Sequence, residues 1–77
     1  MKLDELAAMS APEGFRPFTI ITKGGLRMEV PHPEFVSIPP DETASFFGVY
    51  TTARPTILRL IDLDAIDHID WETSVKK

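Results

Sequence analysis

The sequence predicts a mainly β domain with one short N-terminal helix and about five short antiparallel strands, arranged as a small barrel or a strongly bent sheet. Three observations carry this. Residues 26–30, Leu-Arg-Met-Glu-Val, alternate apolar and charged side chains as a half-buried strand does. β-Branched and aromatic residues gather in Phe18-Thr19-Ile20-Ile21-Thr22 and in Phe46-Phe47-Gly48-Val49-Tyr50. Gly24-Gly25, Pro31-His32-Pro33, Pro39-Pro40 and Pro55 punctuate the chain between and beyond these runs. Closing such a sheet removes its exposed edges, which favours the barrel.

Residues 1–9 read as a short helix, with Leu3, Leu6 and Ala7 on one face and Lys2, Asp4 and Glu5 elsewhere. Ser10-Ala11-Pro12-Glu13-Gly14 ends it, and a helix so short needs a sheet to pack on. Residues 18–22 form the first strand, and Lys23-Gly24-Gly25 supplies the positive φ angles of a tight hairpin. The return strand puts Leu26, Met28 and Val30 on one face and Arg27 and Glu29 on the other. Pro31 and Pro33 lack amide donors and hold the residues before them extended, so the ladder stops there.

Residues 35–38 make a further short strand, and Pro39-Pro40-Asp41-Glu42 turns the chain. In the strand at 45–51, Phe47 and Val49 share one face, with Phe46, Gly48 and Tyr50 on the other. After the turn Thr52-Ala53-Arg54-Pro55, residues 56–61 alternate little, which suits a strand covered on both faces. The tail is ambiguous. Leu63, Ile66 and Ile69 recur as on a helix or 3₁₀ turn, while His68, Asp70 and Glu72 alternate with Ile69 and Trp71. The favoured reading is one turn across 63–66 and a final strand over 67–73, with a full helix as the alternative. Phe15, Phe18, Phe35, Phe47 and Trp71 furnish the core.

Seventy-seven residues limit the chain to one domain: a helix at 1–9, a β core at 15–73 and a tail at 74–77 expected to fray. A domain this small buries only a little over ~60% of its unfolded surface, so it gains from association and an oligomer is expected. With no cysteine there is neither a disulfide framework nor a thiolate metal site. Residues 1–6 are charged, unlike a signal peptide, and no apolar run approaches the ~18 residues of a membrane span. The expectation is a cytoplasmic protein with no membrane partner. Twelve acids against eight bases give a net charge of −4, which disfavours nucleic acid as a partner. Five of the acids fall between Asp62 and Glu72, a window with no Lys or Arg. It reads as a solvated acidic edge or as a contact surface for a basic partner.

Two resemblances add to this. Phe15-Arg16-Pro17-Phe18, the Gly24-Gly25 hairpin, Val30-Pro31-His32-Pro33-Glu34-Phe35, and Ile61-Asp62-Leu63 with Ile66 and Ile69 resemble a family of short, uncharacterised bacterial proteins. Their pattern is a Pro-Phe opening, a glycine turn, a His-Pro-Glu-Phe corner and an Ile-Asp-Leu close. The resemblance spans Phe15 to about Trp71 and implies a bacterial cytosolic origin and a compact β domain. It transfers no catalytic residue. The segment Phe46–Tyr50 is more aromatic than that pattern, marking an insertion or a contact strand. The order of one helix and five strands is also similar in topology to the Sm-like and SH3-like small barrels. Yet no Arg-Gly pair lies between Thr56 and Glu72 and the chain has no Asn, so the Sm role in RNA binding does not carry over.

The polar residues offer little chemistry. His32 and Glu34 flank Pro33 and, with His68, are the candidate metal ligands, but a catalytic zinc usually takes three protein ligands held together. The structural alternative gives His32 hydrogen bonds to backbone that the prolines leave unpaired. Asp62, Asp64, Asp67 and Asp70 lack the Gly and terminal Glu of a calcium loop. No serine sits in a Gly-x-Ser-x-Gly elbow, and no phosphate loop follows Gly24-Gly25. The expectation is a protein with no cofactor and no enzymatic activity. Phe46 and Tyr50 are candidates for an exposed partner-binding patch, joined by Asp67 and Asp70 of the acidic tail. A protein-interaction module, self-associating or docking a partner, is therefore the leading expectation. Single-stranded nucleic-acid binding through Arg16, Lys23, Arg27 and Tyr50 is the alternative, and a metal-dependent hydrolase a distant third.

Overall fold

A computed structural model describes residues 1–41 and 43–71. Over these residues the chain is mainly β behind one short helix, with six strands in two three-stranded antiparallel sheets. Helix α1 spans Leu3–Met9, and the Glu5 carboxylate accepts the Lys2 backbone N–H at 2.9 Å, satisfying one donor at its start. Its Leu3 and Leu6 are buried. At the far end the Ser10 hydroxyl donates to the Leu6 carbonyl at 2.9 Å.

Strands β1 (Phe18–Thr22) and β2 (Arg27–Val30) form the expected hairpin. Of its two glycines only Gly25 takes a positive φ, 91°. The turn closes through Thr22, whose carbonyl accepts the Gly25 N–H and whose hydroxyl accepts the Leu26 N–H. Met28 and Val30 are buried, whereas Leu26 lies before the strand and is exposed. A 3₁₀ turn, Pro33–Phe35, follows the proline corner, so Phe35 belongs to the turn and β3 shrinks to Val36–Ser37. Next come β4 (Phe46–Tyr50) and β5 (Leu58–Asp62). A second 3₁₀ turn, Leu63–Ala65, leads into β6 (Ile66–Trp71). The turn-then-strand reading of the tail stands over these residues. Its continuation to Glu72 and Thr73, and the fraying expected of 74–77, lie outside the described residues.

The barrel gives way to two sheets, ordered β2-β1-β6 and β3-β4-β5. The reason is local. The Pro31–Pro33 corner separates β2 from β3, and the Leu63–Ala65 turn separates β5 from β6. Each interruption sends the chain to the other sheet. The inner faces then meet over one core made of Leu3, Leu6, Phe18, Ile20, Met28, Val30, Phe47, Val49, Leu63 and Ile66. Phe15 and Phe35 are half-buried against that core. Trp71 departs from the core assignment: it lies on β6 at the edge of the first sheet, 40% exposed, and its ring centroid is 5.4 Å from that of Phe18.

The largest departure concerns β5. Its low alternation suggested cover on both faces, yet Ile57, Leu58 and Leu60 are all exposed, Leu60 at 66%. Among the described residues the strand is an edge, hydrogen-bonded to β4 on one side only.

Candidate functional site

The outer face of the second sheet follows from the register of β4 on its neighbours. Gly48 pairs with Leu60 and with Ser37, Tyr50 with Leu58, and Phe46 with Asp62. Directly paired residues point to the same face of an antiparallel sheet. Phe46, Gly48, Tyr50, Leu58 and Leu60 therefore share one face, and Phe47 and Val49 the other. Phe47 and Val49 are buried; Phe46, Tyr50, Leu58 and Leu60 are exposed. These four side chains are between 38% and 66% exposed on that one face.

Gly48 shapes the middle of this face. A Cβ there would lie 2.8 Å from Leu58 Cδ1 and 3.3 Å from Ser37 Cβ. The missing side chain thus lets Leu58 lie across β4. Phe46 and Tyr50 flank that saddle two residues to either side.

The open edge of β5 adds backbone polarity to the apolar face. Thr51 N–H donates to the Ile57 carbonyl at 2.9 Å, and Leu63 N–H to the Ser45 carbonyl at 2.8 Å. Hydrogen-bonding direction alternates along an antiparallel strand, so Arg59 and Ile61 also face β4. The N–H and C=O groups of Leu58, Leu60 and Asp62 consequently point away from β4, along the free edge. Other edges carry charge or are short. β2 exposes Arg27 and Glu29 and runs into Pro31; β6 exposes Asp67, His68 and Asp70; β3 has two residues. Charged side chains, prolines and short strands are the usual protection of a sheet edge. On β5, Arg59 is the only base and Asp62 ends the strand.

The remaining candidates are dispersed. Asp67 and Asp70 lie on β6 in the first sheet, so they do not share the face of Phe46 and Tyr50. They pair locally: Asp67 Oδ2 lies 2.8 Å from His68 Nδ1, and Asp70 lies 3.5 Å from His68 Nε2 and 3.8 Å from Arg27. His32 is exposed at the start of the first 3₁₀ turn, and its side chain caps nothing. Its carbonyl accepts the Phe35 N–H at 3.1 Å and its ring lies 6.1 Å from the Phe35 ring, in place of the expected side-chain bonds to backbone. Glu34 is exposed beside it. Among the described residues, no three His, Asp or Glu side chains gather as metal ligands would.

The basic residues are equally scattered. Arg16 lies over the Trp71 ring at 5.0 Å, and Lys23 sits in the hairpin turn. Arg27 alone among Arg16, Lys23 and Arg27 shares a cleft with Tyr50, a depression of ~400 Å³ that Arg59 and Glu29 also line. Sequence reasoning found Phe46 and Tyr50 from alternation but missed Ile57, Leu58 and Leu60. The signal was present as the run Ile57-Leu58-Arg59-Leu60-Ile61, which no pattern could distinguish from a strand buried within the chain.

No helix among the described residues is long and apolar enough to cross a membrane. Comparison with protein-family models, with curated proteins and with solved structures finds no match to this chain.

Proposed function

We propose that the protein is a non-enzymatic interaction module that engages another protein chain through the outer face and open edge of its second sheet. The observation that carries the reading is the exposure of Phe46, Tyr50, Leu58 and Leu60 together on one face, beside a strand edge that pairs with no other strand among the described residues. Apolar surface of this kind is stabilised by burial at ~25 cal/mol per Å², and the edge supplies directional hydrogen bonds that fix the partner's register. Aromatic side chains at the flanks suit a binding surface, since each presents a large rigid area with few rotamers to freeze. Asp67 and Asp70 lie on the other sheet and are left out of the proposed contact.

The test compares wild type with a Phe46→Ser, Tyr50→Ser variant. Size-exclusion chromatography with light scattering reads self-association, and binding assays read any heterologous partner. The variant is expected to keep its fold, because both side chains are already exposed, and to lose the association. A strict monomer whose partners all remain bound to the variant would sink the proposal.

A further inference from the structure

We propose that the cleft between β2 and the β4–β5 hairpin binds a small organic anion, its phosphate or carboxylate head held by Arg27 and Arg59. This site is separate from the apolar outer face, because it uses the opposite side of β5. Arg59 pairs with Val49, which is buried, so its side chain leaves β5 on the core side of the second sheet. That places an exposed guanidinium beside the gap between the sheets. β2 forms the other wall of the same cleft, and Arg27 lines it from there. The cleft thus receives one arginine from each sheet, in a chain whose net charge is −4.

Among the described residues, neither guanidinium is neutralised inside the cleft. Glu29 is the one carboxylate among the lining residues, yet it forms no ion pair with Arg27 or Arg59. Arg27 reaches Asp70 at 3.8 Å, with both side chains more than half exposed, and Arg59 has no ion-pair partner among the described residues. An anion between two like charges is attracted to both, and each planar guanidinium offers an oxyanion two parallel N–H groups. Backbone donors add to these. Thr22 N–H donates to the Leu26 carbonyl at 2.9 Å, and hydrogen-bonding direction alternates along an antiparallel strand. Met28 and Val30 therefore bond to β1, and the N–H and C=O groups of Arg27 and Glu29 face away from it, along the edge that borders the cleft. Size and lining fix the kind of ligand. The cleft holds ~400 Å³, within the range of small-molecule sites. Buried Met28 and Val49 give it an apolar floor, and Tyr50 lines it as well. An organic body fits over that floor while its charged head reaches the two arginines.

NMR titration of the isotope-labelled full chain tests this, with phenyl phosphate, benzoate and inorganic phosphate as the probes. Saturable shifts are expected at the Arg27 and Glu29 amides and at the Arg59 side chain, weakening as salt is raised. Both organic anions should bind more tightly than inorganic phosphate, and the tighter of the two identifies the head group. Arg27→Gln and Arg59→Gln are each expected to raise the dissociation constant roughly tenfold, the loss of one charge-assisted contact. Glu29→Gln is expected to lower it. Lys23→Gln removes an exposed positive charge outside the cleft and should change the affinity by less than about twofold. All four side chains are exposed, so the variants should keep the wild-type circular-dichroism spectrum. No saturable binding of any probe overturns the proposal. So does tighter binding of inorganic phosphate than of either organic anion, or an equal loss in Lys23→Gln and the two arginine variants. Association through the outer face is read separately by Phe46→Ser with Tyr50→Ser, so failure of the anion site leaves that reading untouched.

Discussion

The two sheets share a core but end in opposite ways. The first sheet, β2-β1-β6, carries Arg27, Glu29, His68 and Asp70 among its exposed side chains, with Pro31 closing one edge strand. The second, β3-β4-β5, exposes Phe46, Tyr50, Leu58 and Leu60. Both bury an inner face of similar kind: Phe18, Ile20, Met28 and Val30 in one, Phe47 and Val49 in the other. The contrast lies in what faces water. A sheet that only has to fold places charge on its outer side and edges, as the first does; the second keeps apolar groups there, which is unfavourable unless something covers them.

β4 concentrates the contrast within five residues and offers the sharpest way to break it. Phe47 is fully buried, so Phe47→Ala is expected to destabilise the fold by about 3–5 kcal/mol in denaturant titration. Phe46→Ala, one residue away and exposed, is expected to change it by less than about 1 kcal/mol. Equal losses at the two positions would mean that the outer face is packed within the chain.

Gly48→Ala probes the saddle between Phe46 and Tyr50. The new methyl must displace the flexible end of Leu58, while alanine relieves the entropic penalty of glycine in a strand, about 0.5–1 kcal/mol. Stability is expected to stay within about 1 kcal/mol of wild type while association weakens, because Leu58 no longer lies flat. Retained association with an altered Leu58 methyl resonance would show that the saddle is not used.

On the first sheet the expected effects shrink. Asp70→Ala removes partners of Arg27 and His68 that are half or more exposed, so its effect on stability should stay below about 0.5 kcal/mol and diminish in salt. Any effect on association would place the acidic tail in the interface.

The smallest effect belongs to Asp41. The Thr43 backbone N–H, and then its hydroxyl, donate to the carboxylate and hold its pKa below the ordinary 3.8. A group depressed in the folded state contributes its stability above the unfolded value and loses it as pH falls through the folded one. The Asp41 carboxyl resonance should therefore titrate below the ordinary aspartate range, and Thr43→Ala should move it upward.

What the sequence disclosed divides along the same line. The Gly25 turn, the Pro31–Pro33 corner and the Leu63–Ala65 turn were legible because each depends on neighbours in the chain. The faces of β4 were legible from alternation. Pairing of β1 with β6, across more than forty residues of chain, was not, and with it went the choice between a barrel and two sheets. β5 was misread for a related reason. A run with little alternation suggests that a strand is covered on both sides, but not whether the cover comes from its own chain. Among the described residues Ile57, Leu58 and Leu60 find no such cover, and the proposed partner chain would supply it.

Amide hydrogen exchange along β5, measured by NMR over a concentration series, tests that account most directly. The N–H groups of Arg59 and Ile61 face β4 and should be protected at every concentration. Those of Leu58 and Leu60 face the open edge and should exchange rapidly in dilute protein, then slow together as concentration rises. Rapid exchange at Leu58 and Leu60 across the whole series, in a protein that sediments as a monomer throughout, would contradict self-association through the β5 edge.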